Sequence, residues 1–142
     1  MTEEMFFDTN ILCYAYDLNE PQKRKICKEL VEDVFSGKTK GIISNQILVE
    51  LYNALTRKLG VDLRLAGTIV SSLISSKNWI KVNYDHRTVK SAIVTSKIFK
   101  SPFLDTLIAE TMRSNYLRVI VTENESDFKK IPGITVLNVL SK

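Results

Sequence analysis

Three short apolar runs, Met5-Phe6-Phe7, Ile42-Ile43 and Val119-Ile120-Val121, are separated by long stretches whose apolar residues recur at helical spacing. This alternation constrains the fold more than any other feature of the chain. Runs so short and continuous suit strands buried on both faces, as in parallel sheets, and parallel neighbours need a crossover that is usually a helix. The expected fold is therefore α/β: a three-layer α/β/α sandwich around a mostly parallel central sheet, wound with right-handed crossovers.

The pattern predicts a strand over Glu4 to Asp8 that turns into a helix, then a helix over Gln22 to Phe35 with Ile26, Cys27, Leu30, Val31 and Val34 on one face. A strand over Ile42 to Ser44 leads into a helix that either Ser44 or Asn45 can cap, striped by Ile47, Leu48, Leu51, Tyr52 and Leu55 and closed by Gly60. Asp62 to Ser75 is helical through Leu65, Ala66, Ile69, Val70, Leu73 and Ile74, and Trp79 to Val82 forms a third strand. Asp85 caps a helix through Val89, Ala92, Ile93 and Ile98, which Ser101-Pro102 breaks; Leu104 to Asn115 resumes with Leu104, Leu107, Ile108, Thr111 and Met112 inward. Val119 to Val121 and Ile134 to Val139 complete the strands.

With 142 residues and no internal repeat or linker, one domain over 1–142 is expected. A chain near 150 residues buries roughly 68–70% of its unfolded surface, enough for a core without staples. Its 44% hydrophobic and 25% charged residues argue against extended disorder. The net charge of +4 is compatible with a nucleic-acid partner. The acidic start Met1-Thr2-Glu3-Glu4 is unlike a signal peptide, and no apolar run approaches the roughly 18 residues of a membrane span, so a cytoplasmic protein is expected. Cys13 and Cys27 make no disulfide framework and read as core residues.

Asp8, in Asp8-Thr9-Asn10, closes the first strand, at the carboxyl edge where open α/β sheets bind ligands. Glu50 and Asp105 lie beside apolar helical stripes, in the first turns of helices starting near that edge, and Asp127 follows the last strongly apolar strand within Thr122 to Phe128. Each has an ordinary reading as well: Asp8 as a helix cap, Glu50 as a rim residue, Asp105 as a favourable charge in a first helical turn. Taken together, they converge on one edge. Hard oxygen ligands without Cys or His favour Mg²⁺ or Mn²⁺ over zinc, and such ions activate water against a phosphodiester.

Two other classes compete. A phosphotransferase with Asp8 as nucleophile would want a second acid two residues on, where the chain has Asn10. A non-enzymatic RNA-binding module would gain nothing from converging acids. The lone His86 follows the cap Asp85, far from the acids, and gives no support to Ser/His or Cys/His chemistry. Lys23-Arg24-Lys25 with Lys28, Arg57-Lys58 and Lys129-Lys130 read as solvated faces or as phosphate contacts, and Tyr14, Tyr16, Tyr52 and Tyr84 as packing residues or base-stacking surfaces.

The ordered set Asp8-Thr9-Asn10, Gln46-Ile47-Leu48-Val49-Glu50-Leu51-Tyr52-Asn53-Ala54-Leu55, Leu104-Asp105-Thr106-Leu107-Ile108-Ala109 and Thr122-Glu123-Asn124 with Asp127-Phe128 resembles the PIN domain family. So does the closing Ile131-Pro132-Gly133-Ile134-Thr135-Val136. Within that family the chain is most similar to the small VapC-like toxins. The resemblance implies a ribonuclease dependent on Mg²⁺ or Mn²⁺, usually a homodimer and often inhibited by a small antitoxin; its alternative is a PIN-like RNA-binding or RNA-processing module with weak or absent catalysis. Asp8, Glu50 and Asp105 match the core carboxylates, while either Asn124 or Asp127 stands at the fourth position, with Asp127 preferred. Asn10 and Thr122 would support the ligands.

Overall fold

The computed structural model describes residues 3–141. Met1 and Thr2 of the acidic leading stretch lie outside the described residues. In chain order the elements are β1 (Met5–Phe7), α1 (Thr9–Tyr14), α2 (Pro21–Phe35), β2 (Gly41–Ser44), α3 (Asn45–Arg57), α4 (Leu63–Ser75), β3 (Trp79–Val82), α5 (His86–Phe99), α6 (Phe103–Ser114), β4 (Val119–Val121), α7 (Glu125–Phe128) and β5 (Thr135–Leu137).

All five strands are parallel, in the order β3-β2-β1-β4-β5. The chain lays down β1, β2 and β3 in one direction; α5 and α6 then carry it back to the far side of β1, where β4 and β5 continue the other way. Connections that run in opposite directions with the same right-handed sense put their helices on opposite faces, which gives the three layers. The order reverses between β1 and β4. That switch point is where the carboxyl ends of two neighbouring strands open a crevice.

Phe6, Phe7, Ile42, Ile43, Ile120 and Val121 are buried, as strands covered on both faces require. Trp79 meets Phe7 edge-on, ring centroids 5.0 Å apart, and ties β3 to the middle of the sheet. Gly41 is demanded by this packing: a Cβ there would stand 2.7 Å from Val34 Cγ2 and 2.9 Å from the Trp79 ring. Ser44 rather than Asn45 caps α3, its hydroxyl accepting from the Ile47 amide at 3.4 Å. Asp85 and Thr88 form a reciprocal capping box that starts α5.

Several expectations change. The first and last strands are shorter than Glu4 to Asp8 and Ile134 to Val139, and α7 has no periodic signal that four residues could carry. Leu104 is 56% exposed, and Leu65, Ile74, Ile93 and Ile98 are also exposed. Apolar stripes on α4 and α5 are wider than the faces these helices press on their neighbours; of α5 only Ala92 is buried. Cys27 is buried as expected, whereas Cys13 is only partly so, at the margin of the core. Among the described residues no helix is long and apolar enough to cross a membrane.

Candidate active site

Phe7 and Val121 are partners across the parallel β1–β4 pair, so Asp8 and Thr122 leave the sheet side by side. The Asp8 amide donates to the Val121 carbonyl at 3.0 Å. Its carboxylate is 6% exposed and divides its work. Oδ1 accepts from the Thr9 amide at 2.7 Å and so caps α1; Oδ2 accepts from the Thr122 hydroxyl at 2.7 Å and more loosely from Asn10 Nδ2 at 3.4 Å. The cap and the strand-end acid are the same residue. Asn10 Nδ2 also reaches Thr122 Oγ1 at 3.2 Å, and its Oδ1 accepts from the Glu123 amide at 3.3 Å, which fastens the loop after β4 to α1.

Glu50 stands in the second turn of α3, one turn later than the sequence suggested, because the helix starts at Asn45. Thr9 Oγ1 donates to its Oε1 at 2.8 Å and Gln46 Nε2 to its Oε2 at 3.0 Å. Asp105, in the first turn of α6, accepts from Asn124 Nδ2 at 3.0 Å. The same Asn124 nitrogen lies 3.3 Å from Asp127 Oδ2.

Asp8, Glu50, Asp105 and Asn124 line one cleft of about 690 Å³, with Tyr14, Asn53, Arg57 and Lys58 among its other walls. Asp127 is set back from it, held by Asn124 and by Lys130 at 3.4 Å. Of the two fourth-position candidates, then, Asn124 borders the cleft and Asp127 stands behind it. Cys13 borders the cleft as well, and burial pushes its thiol up to about 12, which disfavours the thiolate. His86 is exposed and is not among the cleft's lining residues.

The acids in the cleft oppose one another. Burial raises the Asp8 carboxyl above its ordinary value despite the hydrogen bonds from Thr122 and Thr9, and the charge of Glu50 adds to the rise. Asp105 is pushed up to about 6, first by burial and then by the charges of Asp8, Asp127 and Glu50, with only Asn124 pulling it back. Among the described residues no Lys, Arg or His lies within ion-pairing distance of Asp8, Glu50 or Asp105. Nor do three His, Cys, Asp or Glu side chains close on one point as a finished metal cage does. The donor set still fits a hard divalent cation in chemistry and charge: Asp8, Glu50 and Asp105 offer carboxylate oxygens to one cleft, and among the described residues none of the three is ion-paired, Arg57 and Lys58 standing farther along its wall.

Two features escaped the sequence reading. Lys23, though partly exposed, is committed to an ion pair: its Nζ lies 2.7 Å from Glu123 Oε2, over the Tyr14 ring, while the Tyr14 hydroxyl donates to Glu123 Oε1 at 2.6 Å. Gln46 is buried behind Glu50 and α6; its position one helical turn before Glu50 was the only available signal.

Fold and cleft together define an α/β protein with an acidic site at the switch point of a five-stranded parallel sheet. The sequence model of the PIN domain family matches residues 5–134, and the chain belongs to that family. PIN domains are nucleases that in general use divalent metal ions. The structure is similar to a chain of a toxin–antitoxin complex from Klebsiella pneumoniae, with 20% identity, TM-score 0.65 and coverage of 94% of this chain and 96% of that one. It is also similar to DNA-bound VapBC from Salmonella typhimurium, at 22% identity, TM-score 0.65, 96% and 98% covered. VapC20 of Mycobacterium tuberculosis, a toxin that cleaves the sarcin–ricin loop, matches at 16% identity and TM-score 0.59, with 82% and 86% covered. At these identities the likeness is one of fold. No curated protein matches the chain by sequence.

Proposed function

We propose that this chain is a metal-dependent endoribonuclease, a single PIN domain that acts in the cytoplasm as the toxin of a toxin–antitoxin pair. One observation carries the reading: Asp8, Glu50 and Asp105 line one cleft, burial and neighbouring carboxylates raise the Asp8 and Asp105 carboxyls, and among the described residues no cation is within ion-pairing distance of the three. That arrangement is costly unless a positive ligand arrives. Asp8, Glu50 and Asp105 would hold Mg²⁺ or Mn²⁺, which supplies charge neutralisation and water activation for in-line displacement at phosphorus. Thr122 and Thr9 fix the Asp8 carboxylate, Asn10 ties Thr122 to α1, and Asn124 orients Asp105. Asp127 would act from behind Asn124, by orienting the attacking water or supporting a second ion. Arg57 and Lys58, on the cleft wall, suit the phosphates flanking the scissile bond.

The partner reading draws on the toxin–antitoxin assemblies among the structural neighbours. A homodimer agrees with the exposed Ile93, Val94, Ile98 and Phe99 along α5. The test is cleavage of a panel of structured RNAs by purified protein in Mn²⁺, in Mg²⁺ and in chelator, with Asp8→Asn beside it. Cleavage requiring the metal and lost in the variant is expected; cleavage that survives chelator, or that Asp8→Asn retains, overturns the reading.

A further inference from the structure

Gln46 is 7% exposed and its side-chain nitrogen makes two hydrogen bonds, to Glu50 Oε2 at 3.0 Å and to the Leu104 carbonyl at 3.1 Å. Leu104 immediately precedes Asp105 in the first turn of α6. One amide nitrogen thus spans α3 and α6 at the two points from which Glu50 and Asp105 enter the cleft. Both neighbours are acceptors, so only the nitrogen can face them. The amide oxygen is consequently turned away, buried and without a hydrogen-bond partner.

A residue that merely filled this space would be apolar. Leucine or methionine would occupy a similar volume without stranding an acceptor, and an unpaired buried acceptor is disfavoured. What the amide provides, and a hydrocarbon cannot, is a fixed spacing between two acids that repel each other. Thr9 restrains the other oxygen of Glu50 but has no bond to α6, so Gln46 is the side chain that couples the two acid-bearing helices at this level.

We propose that Gln46 is a positioning residue that ties the Glu50 carboxylate to the start of α6, so that it sets how tightly the cleft takes a divalent cation. The inference rests on the nuclease reading of the cleft. Its test is direct Mn²⁺ binding by titration calorimetry to wild-type protein and to Gln46→Met, which keeps the length and removes the donor. The dissociation constant is expected to rise roughly 10- to 100-fold, as when the partner of a metal ligand is lost. RNA affinity in chelator, by fluorescence anisotropy, should stay within twofold, which separates positioning of the acids from a general loss of the binding surface. Where methionine impairs folding, Gln46→Asn, an amide one methylene too short to bridge, gives the same reading with less change in polarity. Unaltered Mn²⁺ affinity in either folded variant overturns the clamp and leaves the nuclease reading standing. Wild-type protein that binds no Mn²⁺ overturns both.

Discussion

Five of the acids at one end of the sheet fall into two groups. Glu123 and Asp127 have their own lysines, Lys23 at 2.7 Å and Lys130 at 3.4 Å. Asp8, Glu50 and Asp105 have none among the described residues and are held by neutral donors from Thr9, Gln46, Thr122 and Asn124. The consequence is electrostatic. Burial opposes it, yet the Lys23 and Tyr14 hydrogen bonds bring the Glu123 carboxyl below its ordinary value, while Asp105 rises to about 6. Acids with a counter-charge fasten loops, and it is the acids arranged without one to which the proposed reading assigns the external cation. Proximity to the switch point alone would not have separated them.

Breaking the unpaired group should cost most. Asp8→Asn or Asp105→Asn is expected to lower metal-dependent RNA cleavage by more than the roughly 10- to 100-fold typical for losing a ligand's supporting partner, with the far-ultraviolet circular dichroism unchanged. Next comes the metal itself: Mn²⁺ at about one hundred times its dissociation constant should add ~2.7 kcal/mol, or a rise of roughly 5–10 °C in Tm at pH 7, measured by calorimetry. Neither Asp8→Asn nor Asp105→Asn should show that full rise.

A smaller effect concerns pH. Asp105 binds its proton more tightly folded than unfolded, about 6 against 3.8, so the metal-free protein is favoured below that window and loses stability as pH rises through it. Denaturant titrations in chelator at pH 4 and pH 7 should show this fall in wild type and a shallower one in Asp105→Asn; equal slopes would remove Asp105 from the frustrated group. Smallest of all, Glu123→Gln breaks a half-exposed ion pair, for which less than about 1 kcal/mol is at stake, and cleavage should stay within a few-fold of wild type. A loss as large as that of Asp8→Asn would erase the distinction between the groups.

Much of the frame was legible in the chain. Val119 to Val121 is the strand its apolar run announces, and Trp79 to Val82 another. Asp8 and Thr122 fall on one edge because both follow buried parallel strands, which periodicity can reveal. Side-chain depth was less legible: Leu104 and Ile98 continue apolar stripes, yet how far a helix presses into its neighbours depends on partners that the stripe does not name. The division of acids was invisible. Lys23 pairs with a residue 100 positions away and Asn124 with one 19 away, and no local pattern records such partnerships. Asn124 against Asp127 stayed open for the same reason.

The hydrogen bond from Thr122 to Asp8 joins residues 114 apart, across strands that touch only after the chain has travelled out to β3 and back. Long-range pairings of this kind form late and slowly. During synthesis Asp8, Glu50 and Asp105 are all made before β4, but the partner that fixes Asp8 and the asparagine that orients Asp105 come after it. A nascent or prematurely terminated chain therefore carries the acids without their alignment. For the ribonuclease proposed above, made on a machine built of RNA, the topology delays assembly of the blade until the chain is nearly complete.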